Sequence, residues 1–255
     1  MMRPHYNVVR LSLIVAAILI WQLLSQYNIL NPLVFSSPLA SVESLYHLFG
    51  GHTSLVGFYP SLYATLTEIA LAFGLIALIG IPAGIALGWN RFAQVSIMPL
   101  IIAFFSIPSI VLYPIIYLIF GLGIASKVIF GVVVGLFAVL ENCSAGAKQV
   151  PREYVTLSRS LGFSKMQLLR KILIPSAIPY ITSGLRLGFS FGLAGIIAGE
   201  YIASTIGIGQ LIVTALDLLE IDYVFALILL VIVIATLVNF ILIFVESRET
   251  KFKLV

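Results

Sequence analysis

Residues 69–89, 97–120 and 223–245 each run without a charged side chain. A helix crosses about 30 Å of hydrocarbon with about 20 apolar residues, so each run can span a bilayer. The backbone must be helical there, because hydrocarbon offers no partner to an open N–H or C=O. Residues 128–140 are apolar but short, flanked by Lys127 and Glu141. If those side chains snorkel to the interface, the helix extends to about residue 145. Residues 178–202 are long enough but contain Arg186 and Glu200, and residues 11–24 form the shortest run, extended back to about Asn7. The expectation is an all-α membrane protein with six transmembrane helices. Composition agrees: 61% of the residues are hydrophobic and 9% charged, against about 25% charged in soluble domains.

Lys and Arg sort by side, which sets orientation. With six spans, one side holds both termini together with Arg3, Arg10, Arg91, Lys148, Arg152, Arg159, Lys165, Arg170, Lys171, Arg248, Lys251 and Lys253. The other keeps Lys127 with Glu43, Asp217, Glu220 and Asp222. The first side is therefore expected to be cytoplasmic, N and C termini included. Arg3 and Arg10 before a short apolar run also fit a signal peptide, with Pro38-Leu39-Ala40 as a cleavage region. An uncleaved first helix makes the charge pattern of the whole chain consistent, and that reading is adopted.

Several function classes drop out. A net charge of +4 would suit nucleic acid, but the charges are segregated by membrane side and gathered on no domain. Cys143 is alone, and His5, His47 and His52 all precede the second span, so no metal centre or histidine-based catalytic site fits within the membrane. Gly188-Phe189-Ser190-Phe191-Gly192 has the letters of a nucleophile elbow but lies inside a membrane helix, with no histidine in any later span. Its spacing belongs to a small-residue face, Gly184, Gly188 and Gly192. Similar faces run through Gly80, Gly84 and Gly88, and through Gly131 and Gly135, and they let backbones approach closely. No phosphate-cradling Gly-x-x-x-x-Gly-Lys-Ser/Thr occurs. If ATP drives this protein, another subunit hydrolyses it.

The one long polar stretch, residues 146–177, separates the fourth and fifth spans. Pro151 suits a first helical turn. Tyr154, Val155, Leu157, Ser158 and Leu161 recur at helical spacing, and Gly162 is a natural stop. Ser164 and Gln167 fit a capping box that opens a second short helix, which Pro175 and Pro179 are expected to break before the fifth span. Gly162 is followed by nine residues and then Ile172, Leu173, Ile174 and Pro175. This spacing resembles the cytoplasmic EAA coupling loop of permease subunits in ATP-binding-cassette importers: Glu-Ala-Ala, three residues, Gly, nine residues, Ile, one residue, Leu-Pro. Thr156, Leu157 and Ser158 stand where the triplet would, and Ile174 stands for Leu.

From Tyr59 onward the chain resembles the sulfonate, taurine and nitrate type of these permeases. Gly80-Ile81-Pro82-Ala83-Gly84 is similar to its second-span Gly-Ile-Pro-x-Gly, and Pro99, Ser106-Ile107-Pro108 and Tyr113-Pro114 to its proline-rich span. Gly199-Glu200-Tyr201 before Gly207-Ile208-Gly209 is similar to its fifth-span exit, whereas Glu68 stands where many relatives carry a basic residue. The resemblance implies a type I importer permease fold. Residues 1–58 would form an N-terminal helix with an extracytoplasmic segment, and residues 59–255 the permease core. It implies a second copy of the chain, two ATPase subunits that bind ATP and Mg, and an extracytoplasmic solute-binding protein near residues 217–223. This chain itself would bind no cofactor and catalyse no reaction, in the bacterial cytoplasmic (inner) membrane. The ATPase would meet Arg152, Glu153, Tyr154, Val155, Thr156, Leu157, Ser158, Leu161 and Gly162. Proline in the third span frees carbonyls that need partners, so Ser106, Ser109, Tyr113 and Tyr117 are expected along the substrate path, with Ser190 and Glu200 of the fifth span. Glu68 and Glu200 are otherwise expected at the membrane interface. The alternative is a secondary transporter or channel working without an ATPase.

Overall fold

A computed structural model describes residues 4–27, 29, 31, 33–51 and 53–251, with side chains for all of these except residues 4–7, 152 and 245–251. Every regular element among them is helical. The first helix is α1, Pro4–Gln26. After it comes α2, Pro38–Gly50, which the sequence reading left as an extracytoplasmic segment. It starts where Ser37 accepts a hydrogen bond from the Ala40 amide, and its Ser41, Ser44 and Leu48 face inward. Next are α3, Phe58–Trp89, and α4, Arg91–Phe105, the latter capped by Asn90 accepting from the Phe92 and Ala93 amides.

The expected third span, residues 97–120, is not one straight helix. It is α4 followed by a 3₁₀ turn, Ser109–Leu112, and α5, Tyr113–Phe120, and the axis bends by 85° at the break. Pro108 causes this, because a proline disfavours helical backbone in the residue before it and carries no N–H for the ladder. Pro99 lies inside α4 without breaking it.

The fourth span is α6, Ile124–Lys148. It begins earlier than expected because Lys127 is buried and does not snorkel. The polar stretch then forms α7, Arg152–Ser160, and α8, Lys165–Leu168, where Ser164 and Gln167 make the expected capping box. Pro175 and Pro179 do not break the chain. A π turn, Leu169–Leu173, joins α8 directly to α9, Ile174–Ile202. The wider turn ahead of Pro175 relieves the clash that a proline ring makes with the preceding turn. A short helix, α10, Ile208–Asp217, was not expected, and α11, Ile221–Lys251, ends the described chain. Among the described residues five helices are long and apolar enough to span a membrane, or six if the bent pair forms one span.

The core is built on α6, which packs against both α3 and α9. The glycine faces make these seams. Built onto Gly84, a Cβ would lie 2.6 Å from Cys143 Cβ and 2.8 Å from the Leu140 carbonyl oxygen. On Gly188 it would lie 2.6 Å from Val139 Cγ2 and 3.0 Å from the Gly135 carbonyl oxygen. In lipid, where apolar burial does not drive association, such close backbone contact is what holds helices together. By contrast, no described residue of α1 or α4 is buried.

Candidate functional site

The helix α7 is short, polar overall, and lies outside the spans. Pro151 precedes it as its N-terminal cap. Glu153 in its first turn and Arg159 in its last complement the helix dipole. Its end is sharp. Gly162 has φ +77, its N–H donates to the Arg159 carbonyl at 3.0 Å, and Phe163 N–H donates to the Ser158 carbonyl at 2.9 Å. This left-handed corner is what glycine permits at little cost.

The expected docking residues divide between two faces. Val155 is half-buried against the core formed by Ile76, Val139, Cys143 and Leu173. Ser158 is buried, and its hydroxyl donates to the Tyr154 carbonyl at 2.5 Å. These two anchor the helix to the core, and Ser158, being buried, is closed to a partner in this conformation. Glu153, Tyr154, Thr156, Leu157, Leu161 and Gly162 are exposed, and Glu153, Thr156 and Leu157 line one open depression with Ser160. The side chain of Arg152 lies outside the described residues.

The expected path residues also divide. Ser106 is exposed at the α4 break, donating to the Ile102 carbonyl at 2.9 Å. Ser190 is exposed on α9, donating to the Arg186 carbonyl at 3.1 Å. Ser109 and Tyr117 are half-buried. Tyr113 is fully buried: its ring packs 4.9 Å from that of Phe130, and its hydroxyl donates to the Ala203 carbonyl at 3.2 Å. In this conformation it is a core residue with its hydroxyl bonded to the backbone. Glu200 is 1% exposed with both oxygens engaged, so it lines no path in this conformation.

With this geometry in place, the comparisons with known proteins are decisive. Residues 76–251 match the family model "Binding-protein-dependent transport system inner membrane component". The chain is 31% identical to the taurine transport system permease protein TauC of Escherichia coli, over 92% of this chain and 87% of that one. It is 29% identical to the nitrate import permease protein NrtB of Synechocystis, over 94% and 89%. The chain belongs to this family. It is a permease subunit of an ABC importer, a non-catalytic transport component of the inner membrane. This sets aside the secondary-transporter and channel alternatives. The fold agrees: the permease superposes on a chain of the inward-facing MetNI methionine ABC transporter with a TM-score of 0.62, at 19% identity, covering 76% of this chain and 94% of that one.

The permease also carries a site that the sequence reading missed. Glu68 of α3 and Lys127 of α6 are both fully buried, with Lys127 Nζ 2.7 Å from Glu68 Oε1. The same ammonium donates to Ser204 Oγ at 2.9 Å and to the Ile206 carbonyl at 3.2 Å. Beside this pair, Glu200 Oε1 accepts from Thr65 Oγ1 at 2.6 Å and Oε2 from the Gly209 amide at 2.8 Å. Thr65 Oγ1 in turn accepts from the Ile208 amide at 2.9 Å. The Glu68 and Glu200 carboxyl groups face each other, and among the described residues Glu68 is held by the Lys127 ion pair, with neither of its oxygens accepting a well-aligned hydrogen bond. These positions correct the interfacial reading of Glu68, Lys127 and Glu200. One signal was available in the sequence: ionisable residues of opposite sign stand at the edges of three apolar runs. Such residues inside a membrane usually pair with one another.

Proposed function

We propose that α7 is the handle by which a separate ATPase subunit moves this permease. The observation that carries the reading is its bare apolar face. Tyr154 is 56% exposed, Leu157 56% and Leu161 66%, on a polar helix held to the core from behind by Val155 and Ser158. A short helix with apolar anchors between polar ends suits a groove on a partner. The family's EAA spacing at Gly162, Ile172 and Pro175 supports the same face. Beyond the Gly162 corner, the unbroken run from α8 through the π turn into α9 would carry a displacement of α7 into the bundle with no further loop to absorb it.

In this reading both termini and α7 face the cytoplasm, as the Lys and Arg distribution supports. Residues 1–58 supply the N-terminal transmembrane helix and extracytoplasmic segment, and residues 59–255 the five-helix permease core. Two copies enclose one path, which would cover apolar faces such as that of α4. Two ATPase subunits bind ATP and Mg, and an extracytoplasmic binding protein delivers solute near residues 217–223. For the path, Ser106 and Ser190 are the exposed candidates. Each hydroxyl proton is committed to its own helix, so each offers acceptor lone pairs to a solute. That chemistry favours a small polar organic solute with its own donors over a bare inorganic anion.

Leu157→Asp tests the docking face. The variant should insert and keep its thermal stability, because the side chain is exposed. Co-purification with the ATPase should fall about tenfold or more, since the charge would be desolvated in the partner's groove. Unchanged co-purification and transport would remove α7 from the interface.

A further inference from the structure

The buried charge cluster lies at the opposite end of the core from α7. Lys127 is in the first turn of α6 and α7 follows the last turn, so about 30 Å of helix lies between them. What the cluster holds is the link of residues 203–207 between α9 and α10. This link has no helix of its own, yet its groups are tied down from several sides. Tyr113, at the start of α5, donates to the Ala203 carbonyl. Lys127, on α6, holds Ser204 and the Ile206 carbonyl. Glu200 and Thr65 receive the amides that open α10. Gly207, at φ +136, passes so close to the Glu200 carboxyl group that a Cβ would collide with it.

A buried ion pair is seldom the best way to stabilise a bundle, since well-packed apolar residues do as well or better. An ammonium offers something that apolar residues cannot: three donors on one atom. Lys127 reaches groups from three separate places: the α3 carboxylate in an ion pair, and the Ser204 hydroxyl and the Ile206 carbonyl by hydrogen bonds. It is the one described side chain that bonds both α3 and the link from α6.

We propose that Lys127, through Glu68, is a positioning residue of the import cycle. It locks the 203–207 link so that α10 and the far ends of α3, α6 and α9 move as one body. A displacement delivered at α7 then reaches the far mouth undiminished. The proposal rests on the reading of α7 as the driven handle.

The test is the double variant Glu68→Gln with Lys127→Met in the complete importer in lipid nanodiscs. One negative and one positive charge leave together, so the buried net charge is preserved while the tether to Ser204 and Ile206 is cut. Two measurements are made: hydrogen exchange at the Ile206, Ile208 and Gly209 amides, and the distance between spin labels at Leu218→Cys of two copies, with and without ATP. The amides should exchange about tenfold faster or more, with α7 amides unchanged. ATP turnover should persist, while an ATP-driven label shift of about 2 Å or more in the parent complex is lost or halved. Unchanged exchange overturns the tether. Faster exchange with the label shift intact overturns its role in transmission. A double variant that cannot insert or assemble also overturns the proposal, because the pair would then be a folding requirement only. If the parent complex shows no ATP-driven shift, the handle reading of α7 fails, and exchange alone still decides whether Lys127 holds the link.

Discussion

Two glycines on one helix make a sharp test of how this bundle is held. A methyl group built onto Gly84 meets Cys143 Cβ at 2.6 Å, the Leu140 carbonyl oxygen at 2.8 Å and Leu140 Cα at 3.1 Å. The last two are backbone atoms, so no rotamer change can make room. Ordinary contact begins at 3.4 Å, so α3 must retreat from α6 by about 0.8 Å at the tightest point. A gap of that size forfeits a quarter to a half of the dispersion energy of each atom pair along the seam. Gly84→Ala should therefore destabilise the fold by about 2 kcal/mol, within the range for overpacked cores, or roughly thirtyfold in the unfolding equilibrium. Gly74 is ten residues earlier on α3 and has nothing within 4 Å of its Cβ position. Gly74→Ala should be neutral or gain about 0.5–1 kcal/mol from the reduced freedom of the unfolded chain. Thermal or steric-trap unfolding in one detergent compares the two directly. If Gly84→Ala unfolds at the same midpoint as Gly74→Ala, close α3–α6 packing does not hold this protein together.

Gly162→Ala places a Cβ in the left-handed region with open space around it, so the cost is backbone strain alone, about 1 kcal/mol. It should appear as roughly fivefold faster amide exchange across α7, with the membrane helices unaffected. Val155→Asp puts a charge on the inward face of α7 and should loosen the helix from the core by about 1–3 kcal/mol. Limited proteolysis of residues 146–177 would show it, whereas Leu157→Asp should leave that digestion pattern unchanged. Lys127→Met alone leaves two facing carboxylates buried without their cation, at a cost of about 3–5 kcal/mol. Its unfolding midpoint should fall well below that of the same change paired with Glu68→Gln.

Much of the architecture was legible because a bilayer leaves so few options. Two of the three charge-free runs lie in single long helices, and the glycines four apart mark faces where helices meet closely. The Ser164 and Gln167 capping box and the Gly162 corner were local grammar, independent of the rest of the fold. Two of the misreadings concern the course of the helix axis at prolines. Residues 97–120 read as one span because hydropathy does not register the direction of a helix axis, and Pro108 turns that axis by 85°. Pro175 and Pro179 read as breaks because proline rules assume an α-helical turn, and the π turn before Pro175 is a different one.

The amino-acid pattern by itself determined that this chain is an all-helical membrane permease with a polar loop between two of its long apolar helices. It could do so because hydrophobic length, glycine period and loop spacing are properties of neighbours along the chain. Only the tertiary structure decided which side of α7 is bare. It also decided that Tyr113 and Glu200 are core residues and that Lys127 turns inward to meet Glu68 across two helices. The physical reason is that a lysine at the end of an apolar run costs least at the water interface unless a buried carboxylate awaits it. That carboxylate is supplied by a residue 59 positions earlier, which no local pattern reveals.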